Sequence, residues 1–215
     1  TVRDYAARFG VMPREGSDAD VKWFDVDPCY VFHVVNAWEE SDGDVVVLDA
    51  GRHPSMWSTT PDAFEPCHLW RWRFDLRTGA VSEEQLDEVD HAFPRIDDRR
   101  TGLPNRYTWA VMGRPGEPSI TDGATNVVKY DVTTGESWLH DFGEAKSTSE
   151  PVFVPAADAS GEDEGWLMQF VYDRATESSS FVVLDAQDMA SGPIAEIALP
   201  QRVPHGFHGS WFPDE

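Results

Sequence analysis

The sequence is short of positive charge. Only three of its 215 residues are lysine, and 17 Lys and Arg stand against 39 Asp and Glu, a net charge of −22 with histidine neutral. That balance excludes nucleic acid as a default partner, because phosphate binding needs clustered Lys and Arg. An anionic membrane surface would repel the chain on average. Cysteine is scarce too. Cys29 and Cys67 are the only two, too few for a disulfide framework, so the expected compartment is the reducing cytoplasm. No apolar run approaches the roughly 18–20 residues of a membrane span, and no secretory signal is visible. Motifs for common chemistry are missing as well: there is no glycine-rich phosphate loop, His-Glu-x-x-His, Cys-x-x-Cys or Gly-x-Ser-x-Gly. Helical periodicity is nearly absent. Residues 83–90 have a helix-forming composition but only two apolar positions.

Core-forming residues are abundant. Forty per cent of the residues are hydrophobic and 12% aromatic, with 9 Trp and 12 Phe, which excludes a disordered acidic tail. Strand signals recur at 45–48, 69–74, 107–111, 127–130, 166–172 and 181–184. Each is rich in β-branched or aromatic residues and bounded by Gly, Pro, Asp or Asn. Three of them share an ending. Phe74-Asp75-Leu76 runs to Thr78-Gly79, Tyr130-Asp131-Val132 runs to Thr134-Gly135, and Leu184-Asp185-Ala186 repeats the start of the pattern. Asp capping a turn and Gly supplying positive φ make a hairpin exit. The three aspartates lie 131 − 75 = 56 and 185 − 131 = 54 residues apart. An all-strand repeat of about 50 residues predicts β-propeller blades. A β-sandwich with similar hairpins is the alternative. Three or four blades cannot close a ring. The chain also begins at Thr1 and is almost at once in the apolar run Arg8–Arg14. The expectation is therefore one domain over 1–215, cut from a longer propeller.

Among seven histidines, His53, His68 and His140 stand beside polar or turn residues and read as surface groups. His33 differs, because it lies inside the apolar stretch Cys29–Asn36. A buried imidazole must satisfy its nitrogens by hydrogen bonds or by a metal. The run Val203–Phe212 holds His205 and His208. If it is a strand, their odd spacing sends them to opposite faces, so only one can face a shared site. Taken alone, the two places favour plainer readings, a hydrogen-bonded core histidine and a glycine-rich terminal turn.

Five motifs then appear in one order. They are Arg8-Phe9-Gly10-Val11-Met12-Pro13-Arg14; Phe32-His33-Val34-Val35-Asn36-Ala37-Trp38-Glu39; Phe93-Pro94-Arg95-Ile96-Asp97 with Arg106-Tyr107; Ser149-Glu150-Pro151-Val152 with Glu162-Asp163-Glu164-Gly165-Trp166; and Val203-Pro204-His205-Gly206-Phe207-His208-Gly209. Together they resemble the carotenoid oxygenase family, which includes carotenoid and apocarotenoid cleavage oxygenases, lignostilbene dioxygenases and the retinal pigment epithelium isomerase. The resemblance implies an all-β fold, the C-terminal blades of a seven-bladed β-propeller. It implies Fe(II) held by four histidines, the third matching His33 and the fourth His208, with the first two upstream of Thr1. His205 would be a neighbour, not a ligand. Glu150 matches a carboxylate that accepts a hydrogen bond from the far nitrogen of His208 and so fixes its orientation. The carboxylate expected just before Phe93 is replaced by Ala92. The implied partners are dioxygen and an apolar conjugated substrate, a carotenoid, apocarotenoid or stilbene. Membrane association of the longer protein is left open. An interaction module, an isomerase or a member without activity is the alternative reading. Trp23, Phe24, Trp38, Trp57, Trp109 and Trp166 are candidates for blade core or tunnel wall.

Overall fold

The computed structural model describes residues 7–56, 65–113 and 124–213. Its first hairpin pairs β1 (Ala7–Val11) with β2 (Lys22–Val26). Three antiparallel meanders follow. The first runs β3 (Tyr30–Glu40), β4 (Val45–His53), β5 (His68–Asp75), β6 (Val81–Gln85). The second runs β7 (Ala92–Arg95), β8 (Tyr107–Met112), β9 (Asn126–Asp131), β10 (Glu136–Asp141). In the third, β11 (Lys146–Thr148) and β12 (Val152–Pro155) pair in turn with β13 (Gly165–Asp173), followed by β14 (Ser178–Asp185) and β15 (Pro193–Ala198). These are successive propeller blades, and the described sheets leave the ring open. The 83–90 segment contains the end of β6 and then irregular chain.

The repeated aspartates end the next-to-last strand of each blade. Asp75 accepts from the backbone N–H of Arg77 and Thr78 at 2.8 Å, Asp131 from Thr133 at 2.9 Å and Asp185 from Gln187 at 2.8 Å. Gly79 and Gly135 follow at φ +77° and +76°, which a side chain rarely tolerates.

The core lies between blades. Phe24, Trp72 and Phe74 fill the space between the first hairpin and the first blade. Val35, Leu69, Ala110 and Val128 join the first and second blades, and Trp109, Val127, Leu167 and Leu184 join the second and third. Interfaces between successive sheets exclude a two-sheet sandwich. Polar ties set the blades in place. Asn36, three residues on from His33, donates to the carbonyls of Arg100 and Leu103 and to Asn105 Oδ1. Lys129 donates to Asp163 at 2.6 Å and to the Ala186 carbonyl at 2.9 Å.

Phe24, Trp38 and Trp109 are core, whereas Trp23 and Trp166 are exposed, and Trp57 lies outside the described residues. The run Val203–Phe212 is not a strand. Pro204 has no N–H to donate, and the chain crosses the third blade as an irregular strap. Strand alternation therefore does not set the directions of His205 and His208.

Candidate functional site

His33 stands in β3 where the pairing with β4 slips twice, between Val31 and Val34 and between Val34 and Asn36. Such bulges re-aim a side chain. The His33 ring meets that of His208, with centroids 5.3 Å apart and planes at 76°. The sequence separates these residues by 175 positions (208 − 33) and the fold brings them together. Phe93 lies against both rings, at 4.8 Å from His33 and 5.7 Å from His208. It does so from a left-handed backbone, φ +51°, beside a register shift in the β7–β8 pairing. For a bulky residue that conformation is strained, and such strain gathers at functional sites.

His208 is anchored on its far side. Its Nδ1 donates to Glu150 Oε1 at 3.0 Å. The other Glu150 oxygen accepts from the Gly209 N–H at 2.8 Å and from Arg95 Nη1 at 3.2 Å. Glu150 is buried, in the gap between β11 and β12. With Nδ1 carrying the proton, Nε2 of His208 is left with a free lone pair. His205 takes another direction, with its ring against Tyr172 at 6.2 Å. Different directions hold for the two neighbours, although strand alternation is not the cause.

Burial, then the neighbouring His208 and His53, pushes the His33 imidazole down to about 4. It is neutral across ordinary pH, the form that ligates metals. No described residue hydrogen-bonds its ring, and Ala92 is buried with Val111 and Ala124. No group of three or more His, Cys, Asp or Glu is gathered for a metal among the described residues. This chain brings two imidazole rings together. Two rings bonded to one ion at roughly 2.0–2.2 Å have centroids about 4.5–5.5 Å apart, and the observed 5.3 Å fits that pair.

The surface reading of three histidines needs correction. His53 and His140 are buried, each bonded through Nδ1 to a backbone carbonyl, of Glu65 and Met189 respectively, while His68 is half-buried. His91, which drew no attention in the sequence, is fully buried. Cys29 and Cys67 are free thiols. Beside the His208 end lies a cavity of about 540 Å³, walled by Phe170, Phe181, Phe207 and Trp211.

The retinal pigment epithelial membrane protein (RPE65) family matches residues 2–213. The chain belongs to this family. Within it, the chain is 41% identical to a carotenoid cleavage oxygenase of Mycobacterium tuberculosis, covering 97% of the chain and 43% of that protein. It is 34% identical to carotenoid 9,10(9',10')-cleavage dioxygenase 1 of Arabidopsis thaliana, covering 97% and 41%. The structure of cobalt-substituted Synechocystis ACO superimposes with a TM-score of 0.87 at 29% identity, covering 97% of this chain and 44% of that one. The chain thus spans less than half the length of each of these three proteins.

Proposed function

We propose that the chain is the C-terminal portion of a non-haem Fe(II) dioxygenase that cleaves a carbon–carbon double bond of a carotenoid, apocarotenoid or stilbene-type substrate. The observation that carries this reading is the convergence of His33 and His208, with Glu150 behind the second ring. The names of the relatives support the substrate class, and cobalt in the Synechocystis protein supports a metal site in that relative. Two further ligands would come from the segment upstream.

When bound, Fe(II) held by neutral imidazoles supplies open positions for dioxygen and the redox chemistry of cleavage. The chain's own residues do the rest. Burial keeps the His33 ring unprotonated. Glu150 holds the proton of His208 on Nδ1, which leaves the Nε2 lone pair for a metal. Phe93 packs against one side of both rings and limits how far either can turn. The aromatic walls of the cavity suit an apolar conjugated molecule. Addition of one dioxygen across the double bond balances as two carbonyl products.

The test uses the longer protein with its upstream segment. His208→Ala should remove iron, read by elemental analysis, together with cleavage of a polyene, read by loss of its visible absorption. His205→Ala should keep most of both. Equal loss of iron in the two variants overturns the assignment.

A further inference from the structure

We propose that Arg95 is a positioning residue for the His208 end of the site, acting through Glu150 and the strap backbone. This rests on the reading of His208 as a ligand. The strap from 202 to 213 contains no strand, so pairing with a sheet does not hold His208 in place. Three bonds fix its 208–209 peptide region. His208 Nδ1 donates to Glu150 Oε1, Gly209 N–H donates to Glu150 Oε2, and the Gly209 carbonyl accepts from Arg95 Nη1 at 2.6 Å. The same Nη1 donates to Glu150 Oε2 at 3.2 Å. Arg95, Glu150 and Gly209 therefore form a closed ring of hydrogen bonds, with Gly209 held at both its N–H and its C=O.

The division of labour within the carboxylate makes the role specific. Oε1 serves the imidazole, and Oε2 serves the guanidinium and the backbone. The Glu150 side chain is 3% exposed, and among the described residues its charged partners are Arg95 and the His208 ring. A buried carboxylate without a counter-charge turns, takes up a proton or draws in water, and each alters what it offers to His208. Arg95 is itself aimed by β7, two residues beyond the left-handed Phe93, and its Nη2 donates to Asp98 at 3.4 Å. One short strand thus places a ring against both histidines and a guanidinium on the carboxylate that holds one of them.

The experiment uses the longer protein, freed of iron and titrated with Co(II), whose visible absorption reports ligand geometry. Arg95→Gln should lower Co(II) affinity about tenfold, the range seen when a ligand's outer partner is removed. In a Glu150→Gln background the same substitution should cost less, because only the bond to the Gly209 carbonyl is then left to lose. Arg95→Lys keeps the charge without the fork and should fall between; it also serves if Arg95→Gln does not fold. Effects that simply multiply, or a folded Arg95→Gln with affinity within about twofold of the parent, overturn the proposal.

A second readout needs no metal. With labelled histidine, the His208 ring nitrogens in the iron-free protein should show one fixed tautomer, which Arg95→Gln should average. If the parent binds no Co(II) or Fe(II) yet shows this change, the iron reading fails and the positioning role stands. If it binds metal and the ring signals and affinity do not respond to Arg95, the reverse holds.

Discussion

His91 is 1% exposed, and its Nε2 has no partner among the described residues. Its ring lies 5.8 Å from that of Tyr130, whose hydroxyl is also unpartnered. Burial pushes this imidazole down from 6.5 to about 4, against small opposing contributions from the Val89 carbonyl and Asp90. A folded value below the unfolded one means that the unfolded chain binds more protons between these limits. The stability is therefore complete above about pH 6.5 and is lost as pH falls toward 4, on the order of 3 kcal/mol in all. His91→Phe, of similar size and without the titrating nitrogen, should flatten urea-denaturation midpoints between pH 4 and 7. An unchanged slope would show that other groups carry the acid sensitivity. His91 was illegible in the sequence because Asp90-His91 looks like a polar turn. The same cue misplaced His53 and His140, whose polar ends are satisfied by backbone carbonyls that no sequence pattern announces. His33 stood out by its apolar surroundings, but its company with His208 and Glu150 was legible only through the motifs. Nothing in their spacing indicates that the two rings meet.

At the scale of the element, strands were the legible part. Runs such as Leu69–Phe74 and Val127–Tyr130 are bounded by turn formers whose mechanism is local, and β5 and β9 formed there with Asp75 and Asp131 as turn acceptors. The strap was not legible. Its Val, Phe and Trp content suggests a strand, yet its backbone is held by side chains instead, Val203 N–H by Ser179 Oγ and Gly209 N–H by Glu150. Strand β7 is the other surprise, since Phe93 takes a conformation that glycine favours. This makes a prediction with an unusual sign. Within a strand, alanine ordinarily outranks glycine. At Phe93 both substitutions forfeit the contacts of the ring, but Phe93→Gly should be more stable than Phe93→Ala by about 1 kcal/mol, because only alanine must bear the positive φ. Chemical denaturation of the two variants decides it. If alanine proves the more stable, the left-handed backbone at this position is wrong.

For the whole molecule, the balance is between charge and uncovered apolar surface. Each sheet interface is dry, with Trp72, Trp109, Leu167 and Leu184 essentially inaccessible. Beyond the last interface the cover stops. Every residue of β15 is exposed, including Ile194 at 57% and Ile197 at 54%, and Phe207 and Phe212 on the strap reach 77% and 82%. Exposed apolar patches of this kind promote association, and among the described residues β15 pairs on one edge only, with β14. A net charge of −22 opposes it. That repulsion acts over a Debye length of about 10 Å at 0.1 M salt and shrinks to about 3 Å at 1 M, whereas contact between apolar surfaces is not screened. Residues 1–215 produced alone should thus be driven together by added salt, the reverse of a complex held by ion pairs. Sedimentation velocity across a salt series should show the monomer fraction falling as salt rises. Ile194→Asp combined with Ile197→Asp should restore monomer throughout, since it removes apolar area and adds repulsion at one place. A chain that stays monomeric at every salt concentration would mean that the strap and β15 fold onto their own blade and hide this surface in solution.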